Sequence, residues 1–328
     1  MAFLSWFFFL FSGKERRTSS FKFIFHLPAA YDGKVRGGAG MRLLVCGKKG
    51  VLAVIGIVVF AAVLVSACCV HVVCAGASGV SVPILMYHSV GYNNKVQSQY
   101  ILSPEVFEQD MKWLSDHGYT AVFVSDLVHY VLHKTALPDK PVVITLDDGF
   151  LNNRTYVLPI LKKYGMRAVI SVVGAFCEDS TLHPDPNPSY AYLTWQDISD
   201  LADTGLIEIG NHTYDMHSVG ERKGCMKLAG ESVAAYSATL SNDLSKLQAA
   251  LTEKSGVTPT VFAYPYGAVS EEAIFVLQSL GFSAALTCTE KVNLISPTSP
   301  DVLYHLGRFN RPSGETTENF MSRVFGED

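Results

Sequence analysis

An α/β fold, arranged as a distorted (β/α) barrel of seven or eight parallel strands, is what the sequence predicts, and three observations carry that expectation. Short apolar, β-branched runs alternate with helical patterns seven or eight times after Ser78. About 240 residues remain for these elements, close to the size of a (β/α) barrel. No glycine-rich phosphate loop follows the first strand, which disfavours the alternative, an open doubly wound nucleotide-binding sheet.

The first strand is read in Val82–His88 (VPILMYH). Ser103-Pro104 opens a helix, a capping side chain followed by proline at the first helical position. Phe107, Met111 and Leu114 line one face of it, and Gly118 stops it. Thr120–Val124 reads as the second strand, and Ser125 as the cap of the next helix. Pro141–Leu146 (PVVITL) is the third strand, followed by a helix in YVLPILKKYG with Pro159 near its start or at a kink. Arg167–Val173 is the fourth, followed by a long proline-rich loop containing HPDPNPSY. Thr194 caps a further helix, LIEIG is the fifth strand, and Ser232–Ser255 is a long amphipathic helix. Thr260–Tyr264 is the sixth strand, SEEAIFVLQSLG a helix, and Ser283–Thr287 the seventh strand. VLYHL, from Val302, is a candidate eighth.

The 328-residue chain is 48% hydrophobic and 17% charged, with a net charge of −4. No basic stripe interleaves with aromatics, so no nucleic-acid partner is expected. Residues 51–77 carry no Asp, Glu, Lys or Arg and are long enough to span a bilayer. Arg42, Lys48 and Lys49 precede them and would stay in the cytoplasm. The expected division is an N-terminal extension (1–40), whose place in the working protein N-terminal sequencing of the native product would test, a basic cytoplasmic flank (41–50), a transmembrane anchor or signal (51–77), and a globular domain (78–328). Met41 begins a segment that reads like an ordinary start. The apolar segment has three possible fates: retention, cleavage near Cys74–Ser78, or acylation of Cys68 behind VSAC. The expected location is the cell membrane, single-pass with the domain outside, or secreted or lipid-anchored after cleavage. Four of the seven cysteines lie in or beside this segment; Cys177, Cys225 and Cys288 match no zinc-binding spacing and are assigned no chemistry.

Polar residues collect at the carboxyl ends of the expected strands: His88 after the first, Asp147 and Asp148 after the third, Asn211, His212 and then His217 after the fifth, Tyr266 and Gly267 after the sixth. In a barrel these ends face one opening. Two adjacent carboxylates repel and are costly to bury, so a compensating charge is expected. His212 and His217 would point ~140° apart on a helix, so an irregular loop must bring them together. Two imidazoles and one carboxylate suit a catalytic divalent metal, zinc first, with cobalt, nickel, manganese or iron as alternatives. Taken singly, the histidines also read as surface residues and DDG as a turn.

TLDDGF (145–150), NHTYDMH (211–217) and FAYPYG (262–267), in this order, resemble the motifs of polysaccharide deacetylases, carbohydrate esterase family four. VPILMYHSV and RFNRP are similar to the branch of poly-N-acetylglucosamine deacetylases and related bacterial envelope enzymes. The resemblance spans about Val82 to Arg311. It implies Asp147 as general base, Asp148, His212 and His217 as metal ligands, the Tyr266 backbone N–H at the oxyanion, and His88 as general acid, with His305 a weaker candidate. It implies hydrolysis of N-acetyl groups on an extracytoplasmic polysaccharide (peptidoglycan, poly-N-acetylglucosamine or chitin-like), with release of acetate. Two departures stand out. The histidines are five apart, where many members space them four apart. Ala263 stands where many members have the arginine that orients the base; Arg308 or Arg311 is the candidate substitute. A catalytically impaired carbohydrate-binding envelope protein and an O-acetyl polysaccharide esterase are the alternatives. Trp195 and Tyr214 are candidates for stacking on sugar rings.

Overall fold

The computed structural model of the chain describes residues 79–92 and 98–326. The chain divides into two units, Met1–Gly76 and Ala77–Asp328, and only the second is described here. The readings of 1–77, including the anchor or signal, lie outside the described residues. Among the described residues no helix is long and apolar enough to cross a membrane.

The strands are β1 (Val80–Val82), β2 (Ile84–Tyr87), β3 (Ser89–Val90), β4 (Ile101–Leu102), β5 (Thr120–Ala121), β6 (Pro141–Leu146), β7 (Ala168–Val172), β8 (Ile207–Asn211), β9 (Val261–Ala263), β10 (Ala284–Leu286), β11 (Asn293–Ile295) and β12 (Phe309–Asn310). The main sheet runs β10-β9-β8-β7-β6-β2-β12, and every pairing in it is parallel. Its two ends meet. A parallel bridge joins Leu286 to Leu306, the Thr287 N–H donates to Leu306 O at 2.8 Å, and the Leu306 N–H donates to Ala285 O at 3.1 Å. The result is the expected distorted barrel, with β5 added beside the lower half of β6.

The helices are α1 (Pro104–Asp116), α2 (Val124–His133), α3 (Leu158–Tyr164), α4 (Gly174–Leu182), α5 (Trp195–Asp203), α6 (Val233–Ser255), α7 (Ala273–Ser279) and α8 (Thr317–Phe325). The Ser103 and Thr194 hydroxyls cap α1 and α5 as expected, and Ser232, read as the first residue of the long helix, instead caps α6 from just before it. A π-helical turn, Asn153–Val157, precedes α3 and absorbs Pro159 at the start of that helix. Three readings are corrected. Residues 174–182 are helical rather than loop. The candidate eighth strand at Val302 is a 3₁₀ turn, Pro300–His305, and β12 follows it. Helix α2 begins at Val124, before Ser125, because its first turn is capped from elsewhere in the chain.

Strand periodicity sorts the side chains into two layers. On β6, Val142, Ile144 and Leu146 face the surrounding helices with Leu85, Tyr87, Ile170 and Ile209. Val143 faces the barrel interior with Ile84, Val169, Val261, Ala263 and Leu286. The interior cluster also contains Val124, Leu127, Val128 and Val131, so α2 plugs the amino-terminal end of the barrel and leaves the carboxyl end open.

Glu208, between the outward Ile207 and Ile209, caps this plug: its carboxylate accepts the N–H groups of Val124 at 2.9 Å and Ser125 at 3.3 Å. Burial pushes the carboxyl from its ordinary 4.5 up to about 7, against the pull of those donors. A raised folded value means tighter proton binding in the folded chain. The associated stability is complete below pH 4.5 and is lost as pH rises through 7. Glu208→Gln is therefore expected to flatten this dependence. Between about pH 5 and pH 8 the wild-type Tm should fall relative to the variant's, and a constant Tm difference would contradict the assignment.

Candidate active site

The inward alternation of β6 continues past its end. Val143 and Thr145 point inward, and Asp147, two residues on, is 2% exposed within the mouth of the barrel. Asp148 would by the same alternation turn outward. Instead its backbone is left-handed, with φ 72°, and that of Gly149 is too, at 75°. A Cβ on Gly149 would meet Val172 Cγ1 at 3.0 Å, so glycine is required there for both conformation and space. This turn lets two successive carboxylates face one opening.

The two carboxylates have different partners. Asp147 is held by Arg308, which is fully buried: Nη1–H donates to Oδ1 at 2.7 Å and Nη2–H to Oδ2 at 2.8 Å. The Arg308 Nη1–H also donates to Thr145 Oγ1 at 3.2 Å, and its Nε–H donates to Thr287 O at 2.9 Å. Burial alone would raise the Asp147 carboxyl; Arg308, with smaller contributions from His212 and His88, outweighs it and holds the carboxyl well below its ordinary range. Arg308 thus supplies the charge missing at Ala263. The other candidate, Arg311, turns to the buried Asp110, with Nε donating at 2.8 Å; Tyr87 and Thr317 donate to the same carboxylate, tying β2 and α8 to α1.

Asp148 faces the histidines. Its Oδ1 lies 3.1 Å from His217 Nε2 and 3.6 Å from His212 Nε2. One donor atom from each of the three residues lies within 4.8 Å of the others. A tetrahedral zinc ion with ligands at roughly 2.1 Å spaces its donors about 3.4 Å apart, so this set fits a divalent cation. His212 Nδ1 is paired with Ala263 O at 2.8 Å, which leaves Nε2 for the ion. His217 Nδ1 lies 3.3 Å from Tyr266 Oη. Burial lowers His212 below its ordinary value. Burial acts the same way at His217 but is outweighed there by Asp148, and the net shift is upward.

His88 follows β2, half-buried, its carbonyl accepting Asn153 Nδ2–H at 3.0 Å and its ring centroid 4.7 Å from that of Tyr100. Because β2 is the parallel neighbour of β6, His88 stands at the same end of the sheet as Asp147 and Asp148. Tyr266 sits in a tight turn with φ 58°; the neighbouring Gly267 and Ala268 N–H groups donate within that turn to Tyr264 O and Pro265 O, each at 3.0 Å. Among the described residues, Asp148, Thr213 and Tyr266 are three of the five non-glycine residues with positive φ, so local strain concentrates at this mouth.

The other expected residues are elsewhere. His305 ends the 3₁₀ turn whose Leu303 packs with the α2 plug, remote from the carboxyl-end mouth. Trp195 is 3% exposed, with its indole N–H donating to Glu178 at 2.7 Å, and so has no face for a sugar. The Tyr214 ring is covered by Lys246, whose Nζ lies 3.6 Å from the centroid. Cys177, Cys225 and Cys288 are unpaired thiols; burial pushes each upward, Cys225 to about 12, which keeps them protonated.

A family model described as polysaccharide deacetylase matches residues 134–285, which include both carboxylates, both histidines and Tyr266. The Bacillus subtilis protein YxkH, provisionally named a polysaccharide deacetylase, is 30% identical over 205 residues, covering 62% of this chain and 63% of the relative. The chain therefore spans a little under two thirds of that relative's length. The poly-β-1,6-N-acetyl-D-glucosamine N-deacetylase of Staphylococcus aureus (strain MRSA252) is 26% identical, over 66% of this chain and 69% of that one. Among solved structures, IcaB from Ammonifex degensii superposes with a TM-score of 0.61 at 25% identity, covering 75% of this chain and 97% of that one. A de-N-acetylase from Aggregatibacter actinomycetemcomitans shares the fold at the same TM-score, 0.61, with 24% identity over 74% of this chain and all of that one. The motif-bearing strands, the barrel they build and these matches agree: residues 134–285 carry a polysaccharide deacetylase domain.

Proposed function

We propose that this chain is a metal-dependent hydrolase that removes N-acetyl groups from an extracytoplasmic polysaccharide, a poly-N-acetylglucosamine-like glycan in the first instance, and releases acetate. The observation that carries the reading is the division of labour between adjacent aspartates. Asp147 is locked on a buried arginine and cannot turn to the histidines, while Asp148 completes a ligand set with them.

A divalent cation held by Asp148, His212 and His217, with zinc as the first candidate, supplies Lewis acidity that polarises the acetamide carbonyl and acidifies water. The residues of the chain do the rest. Asp147, kept ionised, takes the proton of the attacking water as its oxygen bonds to the carbonyl carbon. The Tyr266 N–H donates to the oxyanion that develops. As the C–N bond breaks, His88 gives its proton to the nitrogen, which leaves as the sugar amine. Arg308 holds Asp147 in place throughout. The rival reading, an impaired carbohydrate-binding protein, drew on the alanine at 263, and the Arg308 contacts remove that reason. Export and anchoring through residues 51–77 suit a substrate outside the membrane and are part of this proposal.

The test measures acetate release by the full-length protein from a β-1,6-linked N-acetylglucosamine oligomer and from an O-acetylated xylan oligomer, before and after chelation. Acetate is expected from the first, lost on chelation and restored by zinc. Asp148→Asn is expected to weaken zinc binding by about 100-fold or more, since even an outer-shell partner contributes 10–100-fold. Release from the O-acetylated oligomer alone would replace this reading with an esterase; release from neither would leave only binding.

A further inference from the structure

The two histidines stand five positions apart, and the residues between them must follow one particular path if both rings are to meet Asp148. We propose that Asp243, on the long helix α6, is a positioning residue that fixes this path and thereby sets the affinity for the cation. The inference rests on the metal-site reading above and adds a residue that none of the three motifs contains.

The geometry is specific. Asp243 Oδ1 accepts the Tyr214 N–H at 2.7 Å, and its Oδ2 accepts the Asp215 N–H at 2.9 Å. One carboxylate thus takes two consecutive backbone donors, an arrangement in which successive N–H groups form an anion-binding concavity. The backbone beside these two donors is tied as well, while the buried Thr213 hydroxyl has no partner. The Thr213 N–H donates to Asn211 Oδ1 at 2.9 Å. Thr213 O accepts the Gly174 N–H at 3.0 Å, and Tyr214 O accepts the Ala175 N–H at 2.7 Å. Gly174 permits this approach: a Cβ there would lie 2.4 Å from the Tyr214 ring. Asn211 is in turn tied to α6, its Nδ2–H reaching Gln248 Oε1 at 3.2 Å and Leu244 O at 3.3 Å.

The path so fixed is not one the backbone would choose. Thr213 is β-branched and sits at φ 73°, a conformation such residues rarely adopt. Something must hold it: Asn211 and Asp243 take the N–H groups of the turn, and the Gly174 and Ala175 N–H groups take its carbonyls. Beyond Asp215 the chain has only Met216 before His217, whose ring must reach Asp148 at 3.1 Å. With the Tyr214 and Asp215 N–H groups released, the turn keeps only the Gly174 and Ala175 contacts, and His217, held at its ring by Tyr266 at 3.3 Å, becomes the less firmly anchored of the two histidines. His212 remains in place because its own backbone N–H donates to Val172 O at 3.0 Å and its ring to Ala263 O. The expected defect is therefore in cation binding, through one ligand, and not in the base.

The test compares the full-length wild type with Asp243→Asn, Asp243→Ala and the control Lys246→Ala, which removes the cation over Tyr214 but leaves the carboxylate. Zinc dissociation constants are measured by competition with a chromogenic chelator, and the Tm of each metal-free protein is recorded. Both Asp243 variants are expected to bind zinc about 10–100-fold more weakly, the range for a partner that orients a metal ligand. The control is expected to match wild type, and acetate release by Asp243→Asn should recover at saturating zinc. Unchanged zinc affinity in Asp243→Asn overturns the proposal, whether or not its metal-free Tm falls, since a Tm loss alone is what a mere tether of α6 predicts. Equal weakening in Lys246→Ala overturns it as well. Because the primary readout is zinc binding, a protein that binds zinc yet releases no acetate would sink the deacetylase reading and leave this one standing.

Discussion

Asp147→Asn is expected to lower kcat by about 10²–10⁴-fold, the usual contribution of a positioned general base, while bound metal is retained. Asp147 touches neither histidine among the short contacts of the site; its two oxygens are both taken by Arg308. An amide there keeps the shape but cannot accept the proton of water. It also leaves a buried guanidinium facing a neutral group, so the variant should be less stable as well as inactive. The measurement is kcat for acetate release beside zinc content per chain. Loss of zinc in proportion to activity would move Asp147 into the ligand set and contradict the division of roles.

Arg308→Met is expected to destabilise the fold by about 3–5 kcal/mol, because it leaves the Asp147 carboxylate buried and unpaired. The direction of the pH effect follows from the Asp147 shift. In the wild type the folded value lies below the ordinary 3.8. Its stabilisation is therefore complete at neutral pH and is lost only as pH falls from about 4 through the folded value. Without Arg308, burial is opposed only by the smaller pull of His212 and His88, and the carboxyl rises. The acid limb of the rate profile should then move to higher pH, and stability should be lost earlier on acidification. The double variant Asp147→Leu, Arg308→Met removes both charges and should recover most of the stability, since replacing a buried pair by apolar groups is often neutral. Recovered stability without recovered activity is the expected signature of a catalytic pair. A double variant as unstable as the single one would mean that Arg308 acts through Thr287 and Thr145 instead.

Much of this was legible in the residues. The β6 run PVVITL matches its strand residue for residue, and the Ser103 and Thr194 caps mark helix starts, because these signals are local. The sites at His88, Asp147, Asp148, His212 and His217 follow from one rule, that polar residues after strands share a mouth. What could not be read depends on contacts distant in sequence. The start of α2 is set by Glu208, more than 80 residues away. Helix α4 has almost no amphipathic signal, so GAFCEDSTL reads as loop. The antiparallel pair of β1 and β11 joins segments over 200 residues apart. Arg308 was one of two candidates, and only the barrel closure at Leu306 decides that it, not Arg311, enters the interior. Asp243 carries no motif; it is one more polar residue on a helix until the loop it holds is seen.

The central claim is that Asp148, His212 and His217 hold a single cation, and zinc absorption spectroscopy of the full-length protein reconstituted with zinc tests it most directly. The account predicts one zinc per chain with two imidazole ligands and oxygen donors at about 2.0–2.2 Å. A sulfur ligand at about 2.3 Å, or no bound zinc at all, would contradict it.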